Sequence, residues 1–120
     1  MYKRQEITDD LKNALVAKSN IFVMPSVKYK SSVEGFGIAY IEAAQYGVPS
    51  LGGADGGASD AIQHDKTGLI CDGNNLDEIY SSLNSMIENK KYLHFGKNAK
   101  ELSSKFYWSN TIDEYKKVLV

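Results

Sequence analysis

Two glutamates, Glu34 and Glu42, stand eight positions apart in the stretch VEGFGIAYIEAAQYGVP, residues 33–49, with a Gly-Phe-Gly turn directly after the first. An ionised glutamate is an acceptor with two oxygens, matched to vicinal hydroxyls such as those of a ribose or a hexose. Gly35 and Gly37 lack a Cβ, so a ligand can approach their backbone closely and a positive φ costs little. If a helix starts near Gly37 or Ile38, its first N–H groups and positive dipole end form a seat for a pyrophosphate. A carboxylate there repels phosphate, so each glutamate needs another partner. Glu42, about one turn inside the helix, suits a ribose, and Glu34, in the loop, suits hydroxyls of a sugar beyond the phosphates. The arrangement suits a nucleotide-sugar. The same residues also suit a plain loop feeding a helix, with Phe36 plugging the core and a glutamate favoured by the helix dipole alone, worth roughly 0.3–1 kcal/mol.

The elements that must position these residues are legible from caps and periodicity. Thr8 followed by Asp9 and Asp10 reads as an N-cap with acids in the first turn, and Leu11, Ala14 and Leu15 carry a helix to about Lys18. The short apolar run NIFVMPS predicts a buried strand over 21–24, closed by Pro25. Ile38 to Tyr46 reads as a helix with Ile41, Ala44 and Gln45 on neighbouring turns, Gly47 at the C′ position and Pro49 blocking continuation. VPSLGG predicts a second strand ended by the glycine-rich turn Gly52–Gly57, with a brief helix at about 58–63, and TGLICDG a third strand. Helices follow at 76–88, with Ile79, Tyr80, Leu83, Met86 and Ile87 as apolar positions, then at 90–104 and 109–118.

Short apolar strands alternating with helices give an α/β fold, a Rossmann-like parallel sheet with flanking helices. Ligands of such sheets bind in the crevice outside the carboxyl ends of the strands. Both unusual loops, the Glu34–Glu42 stretch after the first strand and the Gly52–Gly57 turn after the second, fall on that edge.

With 120 residues the chain is one domain, and its apolar and charged shares, 42% and 24%, are ordinary for a globular protein. A formal net charge of −1 and the lack of basic runs argue against a nucleic-acid partner. Cys71 is the single cysteine, which excludes an intrachain disulfide and favours a reducing compartment. No apolar run approaches the roughly 20 residues of a membrane span, and MYKRQEITDD has no apolar signal region. The expected location is cytoplasmic, with association at the inner membrane face through parts absent from this sequence kept open. His64 and His94 have no partner pattern for metal or triad chemistry and read as surface residues. Cys71 reads as a small core residue. The tyrosines at 29, 40, 46, 80, 92, 107 and 115 read as packing residues, and Trp108 as an anchor for the last helix.

The motif E-G-F-G-I-A-Y-I-E-A-A-Q-Y-G-V-P, from Glu34 to Pro49, resembles the donor-site motif of retaining GT-B glycosyltransferases of the family 4 type. ITDDLKNALVAKSNIFVMPS resembles the helix and strand that precede that motif, GGADGGASDAIQHDKTGLIC the segment that follows it, and FYWSNTIDEYKKVL the closing helix. The stretches GGASD and GFGIAYIE are similar to phosphatidylinositol mannosyltransferase-like members. The resemblance covers nearly the whole chain. It implies transfer of a sugar, with retention, from a nucleoside diphosphate sugar to a glycan or lipid acceptor, without a metal ion. It implies Glu34 as a catalytic-site residue whose carboxylate lies near the donor sugar's hydroxyls, with Gly35 and the amides of Phe36, Gly37 and Ile38 on sugar and diphosphate, and Glu42 on the ribose. Gly56, Gly57 and Asp60 would then form an acceptor-side loop, although Asp60 also suits a cap for the 58–63 helix.

The chain departs from the family pattern in two ways. No G-R-x-x-x-x-K-G-like segment supplies the Arg and Lys that clamp the diphosphate, since Lys3, Arg4, Lys12 and Lys18 stand in another context. The acceptor-binding N-terminal domain has no counterpart either. The expectation is an incomplete GT-B C-terminal domain whose partner is that absent domain or a partner subunit. It could be a piece of a longer enzyme, a truncated reading frame or one half of a split transferase, inactive by itself. Two other readings stand beside it: a non-catalytic interaction module, or part of a GT-B sugar-nucleotide epimerase or phosphorylase.

Overall fold

Strand pairing organises the chain around a three-stranded parallel sheet in the order β1–β2–β3, seen in a computed structural model described for residues 6–28, 30 and 37–119. The strands are β1 (Phe22–Met24), β2 (Ser50–Gly53) and β3 (Gly68–Cys71). Phe22 pairs with Ser50 and Ser50 with Gly68, so all three strands end on the same edge. The helices are α1 (Asp9–Lys18), α2 (Ile38–Gln45), α3 (Ala58–Ala61), α4 (Leu76–Ile87), α5 (Lys91–Ser103) and α6 (Trp108–Leu119).

Local chemistry sets the helix ends. Thr8 Oγ1 accepts from the Leu11 N–H at 3.2 Å, with Asp9 and Asp10 in the first turn. Asn75 Oδ1 caps α4 by accepting from the Glu78 N–H, and the Glu78 carboxylate also accepts from the Asp72 N–H at 2.9 Å, which ties the turn before α4 to its first turn. Gly47, at φ +73°, carries the left-handed turn that ends α2.

Side chains alternate across the sheet with period two, and each face has its own core. Phe22, Met24 and Ile70 pack with Tyr40 and Ile41 of α2, with Ala58 and Ala61 of α3, and with Ile62 and Phe106. Leu51, Leu69 and Cys71 pack on the opposite face with Ile79, Leu83 and Met86 of α4 and Phe95 of α5. Covering both faces of a parallel sheet with helices is what lets its strands be wholly apolar. β1 is an outer strand, and Val23 on its second face stays 45% exposed.

Several expected packing positions lie elsewhere. Gln45 is exposed, and the inward face of α2 is Tyr40, Ile41, Ala43 and Ala44. Tyr46, Tyr80, Tyr107 and Tyr115 are exposed, as is Ile87; Tyr29 falls outside the described residues. Trp108 is 76% exposed and anchors nothing among the described residues, because α6 buries no residue of its own. Periodicity identifies an apolar face but not what covers it.

Cys71 is a core residue with a free, buried thiol. Burial pushes its pKa up, and the neighbouring carboxylates Glu78 and Asp72 add to the effect. The unfolded thiol therefore ionises first as pH rises. The resulting stability is fully present below the ordinary thiol range, about 8.5, and is lost as pH climbs from there through the folded value. Urea midpoints from pH 7 to 10 should fall more steeply for the wild-type chain than for Cys71→Ala. Parallel slopes would contradict this.

Candidate functional site

The carboxyl edge of the sheet carries three connections, those leaving Met24, Gly53 and Cys71. The chain leaving β1 crosses directly over the ends of its neighbours. A Cβ on Gly53 would lie 2.7 Å from Ser26 N, and one on Gly73 would meet the Pro25 carbonyl, so both positions need glycine for this crossing. The Ser26 N–H closes a tight turn onto the Met24 carbonyl, and the Lys28 N–H donates to Asp55 Oδ2 at 2.8 Å. That last bond ties the connection after β1 to the glycine-rich turn after β2.

The connection re-enters regular structure at Gly37, which sits at φ +77° as the N-cap of α2 with no side chain capping the helix. An added Cβ at Gly37 would lie 2.7 Å from Tyr40 Cε2, so the ring of Tyr40 lies directly beneath the helix start. Tyr40 is fully buried, and its hydroxyl donates to the Met24 carbonyl at 2.6 Å. The last residue of β1 and the first turn of α2 are thereby locked together. A helix opening without a side-chain cap leaves its first N–H groups and dipole end available for an anion.

Ile38 and Glu42 both lie on the outward side of α2. Ile38 is 67% exposed, and the Glu42 side chain is half-exposed, with its carboxylate 3.8 Å from the ammonium of Lys12 on α1. Glu34, Gly35 and Phe36 lie outside the described residues. Gly56 (φ +89°), Gly57 and Asp60 all fall in or just after the turn that follows β2, on the same edge. The cap expected from Asp60 is not there: Gly57 is the N-cap of α3, and Asp60 sits in the first turn, where it donates its own N–H to the Gly57 carbonyl at 3.0 Å. Among the described residues no group of three or more His, Cys, Asp or Glu side chains is arranged to hold a metal ion.

His64 is exposed, yet its Nδ1 accepts the Ile70 N–H at 2.9 Å, a pairing with no sequence signature. His94 faces the Asn98 amide at 3.3 Å. A shallow hollow of about 340 Å³ lined by Gln63, Lys66, Thr67, Asn98 and Lys105 lies where β3 begins, away from the carboxyl edge.

A sequence model described as glycosyl transferases group 1 matches residues 1–102. The chain belongs to this family. A GDP-mannose-dependent alpha-(1-6)-phosphatidylinositol monomannoside mannosyltransferase of Mycobacterium tuberculosis is 38% identical over 82 residues, covering 67% of this chain and 21% of that relative. Sucrose-phosphate synthase 4 of Arabidopsis thaliana is 29% identical over 115 residues, covering 95% of this chain and 10% of the relative. Among solved structures, Anabaena HepE in complex with UDP superposes with a TM-score of 0.73 at 23% identity, over 88% of this chain and 28% of that one. The sucrose-phosphate synthase of Thermosynechococcus elongatus superposes with a TM-score of 0.77 at 22% identity, over 95% of this chain and 29% of that one. The parallel sheet with flanking helices is thus the fold of group 1 glycosyltransferases. This group 1 chain spans about a fifth of the length of the mannosyltransferases it matches.

Proposed function

We propose that the chain is the donor-nucleotide portion of a glycosyltransferase that moves a sugar, with retention, from a nucleoside diphosphate sugar to a glycan or lipid acceptor. The observation that carries this reading is the start of α2: an uncapped helix N-terminus at the carboxyl edge of a parallel sheet, with Glu42 about one turn inside it. The diphosphate sits on the amides of Phe36, Gly37 and Ile38, and Glu42 accepts hydroxyls of the ribose. Gly35 allows close backbone approach, and Glu34 acts at the donor sugar. Gly56, Gly57 and Asp60 border the acceptor side. Charge on the departing diphosphate is met by helix amides already aimed at it, the preorganised form of electrostatic catalysis, and no metal ion is required.

The mannosyltransferase relatives are described as GDP-mannose-dependent, which favours a guanosine donor, whereas HepE was solved with UDP. The acceptor site belongs to a further domain or subunit, and no basic segment of this sequence clamps the diphosphate, so the chain alone performs no transfer. Location on the cytoplasmic side, at the inner membrane face where the acceptor is a lipid, belongs to the same proposal. Among the described residues no helix is long and apolar enough to cross a membrane.

A second reading, a non-catalytic interaction module, draws on the outer edge of β1 and on the exposed apolar side chains of α6, Trp108, Ile112, Tyr115 and Leu119. Saturation-transfer NMR with GDP, UDP and ADP separates the two. The donor reading predicts transfer to base and ribose protons, strongest for GDP. A folded chain that transfers to none of the three is the interaction module.

A further inference from the structure

The donor reading contains an electrostatic conflict. Glu42 must present an ionised carboxylate to a ribose, yet the same nucleotide carries a diphosphate at the start of the same helix. Two like charges within a few ångströms repel by about 1 kcal/mol even at the dielectric of water, and by more near a protein surface. A cation beside the carboxylate removes the conflict without blocking both of its oxygens.

Lys12 is placed to be that cation. Its ammonium lies 3.8 Å from Glu42 Oε2, and the two side chains are 43% and 47% exposed, enough to admit a ligand. Among the described residues Lys12 pairs otherwise only with Asp9, one turn back on α1, at 3.9 Å. The Asp9 side chain is 94% exposed and well solvated, so it competes weakly. α1 buries no residue, so the alignment of Lys12 with Glu42 is not forced by a packed core face.

We infer that Lys12 is a positioning residue of the donor site, holding and neutralising the Glu42 carboxylate so that it can receive a nucleotide. The inference rests on the donor reading above. Lys12 acts through Glu42 and through the field it adds near the diphosphate. It is distinct from the Arg and Lys clamp that the sequence lacks.

The test is the affinity of the chain for GDP at about 20 and 200 mM salt, in wild type, Lys12→Gln, Lys12→Arg and Glu42→Ala, with melting temperatures alongside. Lys12→Gln is expected to bind GDP about 3- to 5-fold more weakly at low salt, the scale of an exposed charge pair. Its affinity should also depend less on salt, because one attractive charge is gone. Lys12→Arg should restore both, and the melting temperatures should stay together. Weakening by Glu42→Ala with no change in Lys12→Gln, in affinity or salt slope, overturns the role of Lys12 and leaves the donor reading in place. An affinity unmoved by Glu42→Ala, or no GDP binding by the wild-type chain, overturns the donor reading and the role of Lys12 with it.

Discussion

Gly53→Ala is expected to destabilise the chain by about 3 kcal/mol, the upper end of what overpacking a core costs. The new methyl group would sit 2.7 Å from Ser26 N and 2.8 Å from its carbonyl carbon, both backbone atoms that cannot swing aside. Relief requires moving the 25–28 crossing. That crossing is pinned by the turn onto Met24 and by the bond from Lys28 to Asp55. Because the same crossing leads toward the start of α2, nucleotide affinity should fall along with stability. Gly47→Ala is the control. Its methyl would find 3.7 Å of room to Gly96 O, so only the strain at φ +73° remains, about 1 kcal/mol. Urea unfolding of the two variants should give a difference of about 2 kcal/mol in that order. Equal losses would mean that the crossing is soft.

The second large effect is at Tyr40. Tyr40→Ala removes the largest fully buried side chain among the described residues and should cost about 3–5 kcal/mol. Tyr40→Phe keeps the ring and loses only the hydroxyl that donates to the Met24 carbonyl at 2.6 Å. That carbonyl keeps the Ser26 N–H, so the cost is about 1 kcal/mol. The two variants separate the roles of Tyr40. The ring alone supports Gly37, so Tyr40→Phe should bind nucleotide as the wild type does, at lower stability. Weaker binding by folded Tyr40→Phe would show that the hydroxyl bond also sets the helix opening.

Much of this was legible in the residues themselves. The Thr8 cap, the left-handed Gly47, the stop at Pro49 and the three short strands act locally, and each falls where the caps and periodicity place it. The placement of the glycine turn and of Glu42 near one sheet edge followed from parallel pairing. What was hidden joins residues distant in sequence. Lys12 and Glu42 sit on separate helices, and Asp55 takes a backbone N–H 27 residues away. No spacing rule marks such pairs. A helical period likewise shows that one tyrosine of α2 can face inward, but not that Tyr40 lies under Gly37 while Tyr80 of α4 stays 72% exposed. Trp108 stays exposed for the same reason, since an amphipathic face says nothing about its cover.

The central claim is that a nucleotide seats at the opening of α2 with Glu42 on its ribose. Calorimetric titration of GDP-mannose into the wild-type chain and into Glu42→Ala tests this most directly. Losing a charge-assisted pair of hydrogen bonds should weaken binding by at least about 10-fold, with the melting temperature held. Equal affinities in the two proteins, or no heat of binding in a folded wild-type chain, would contradict the account.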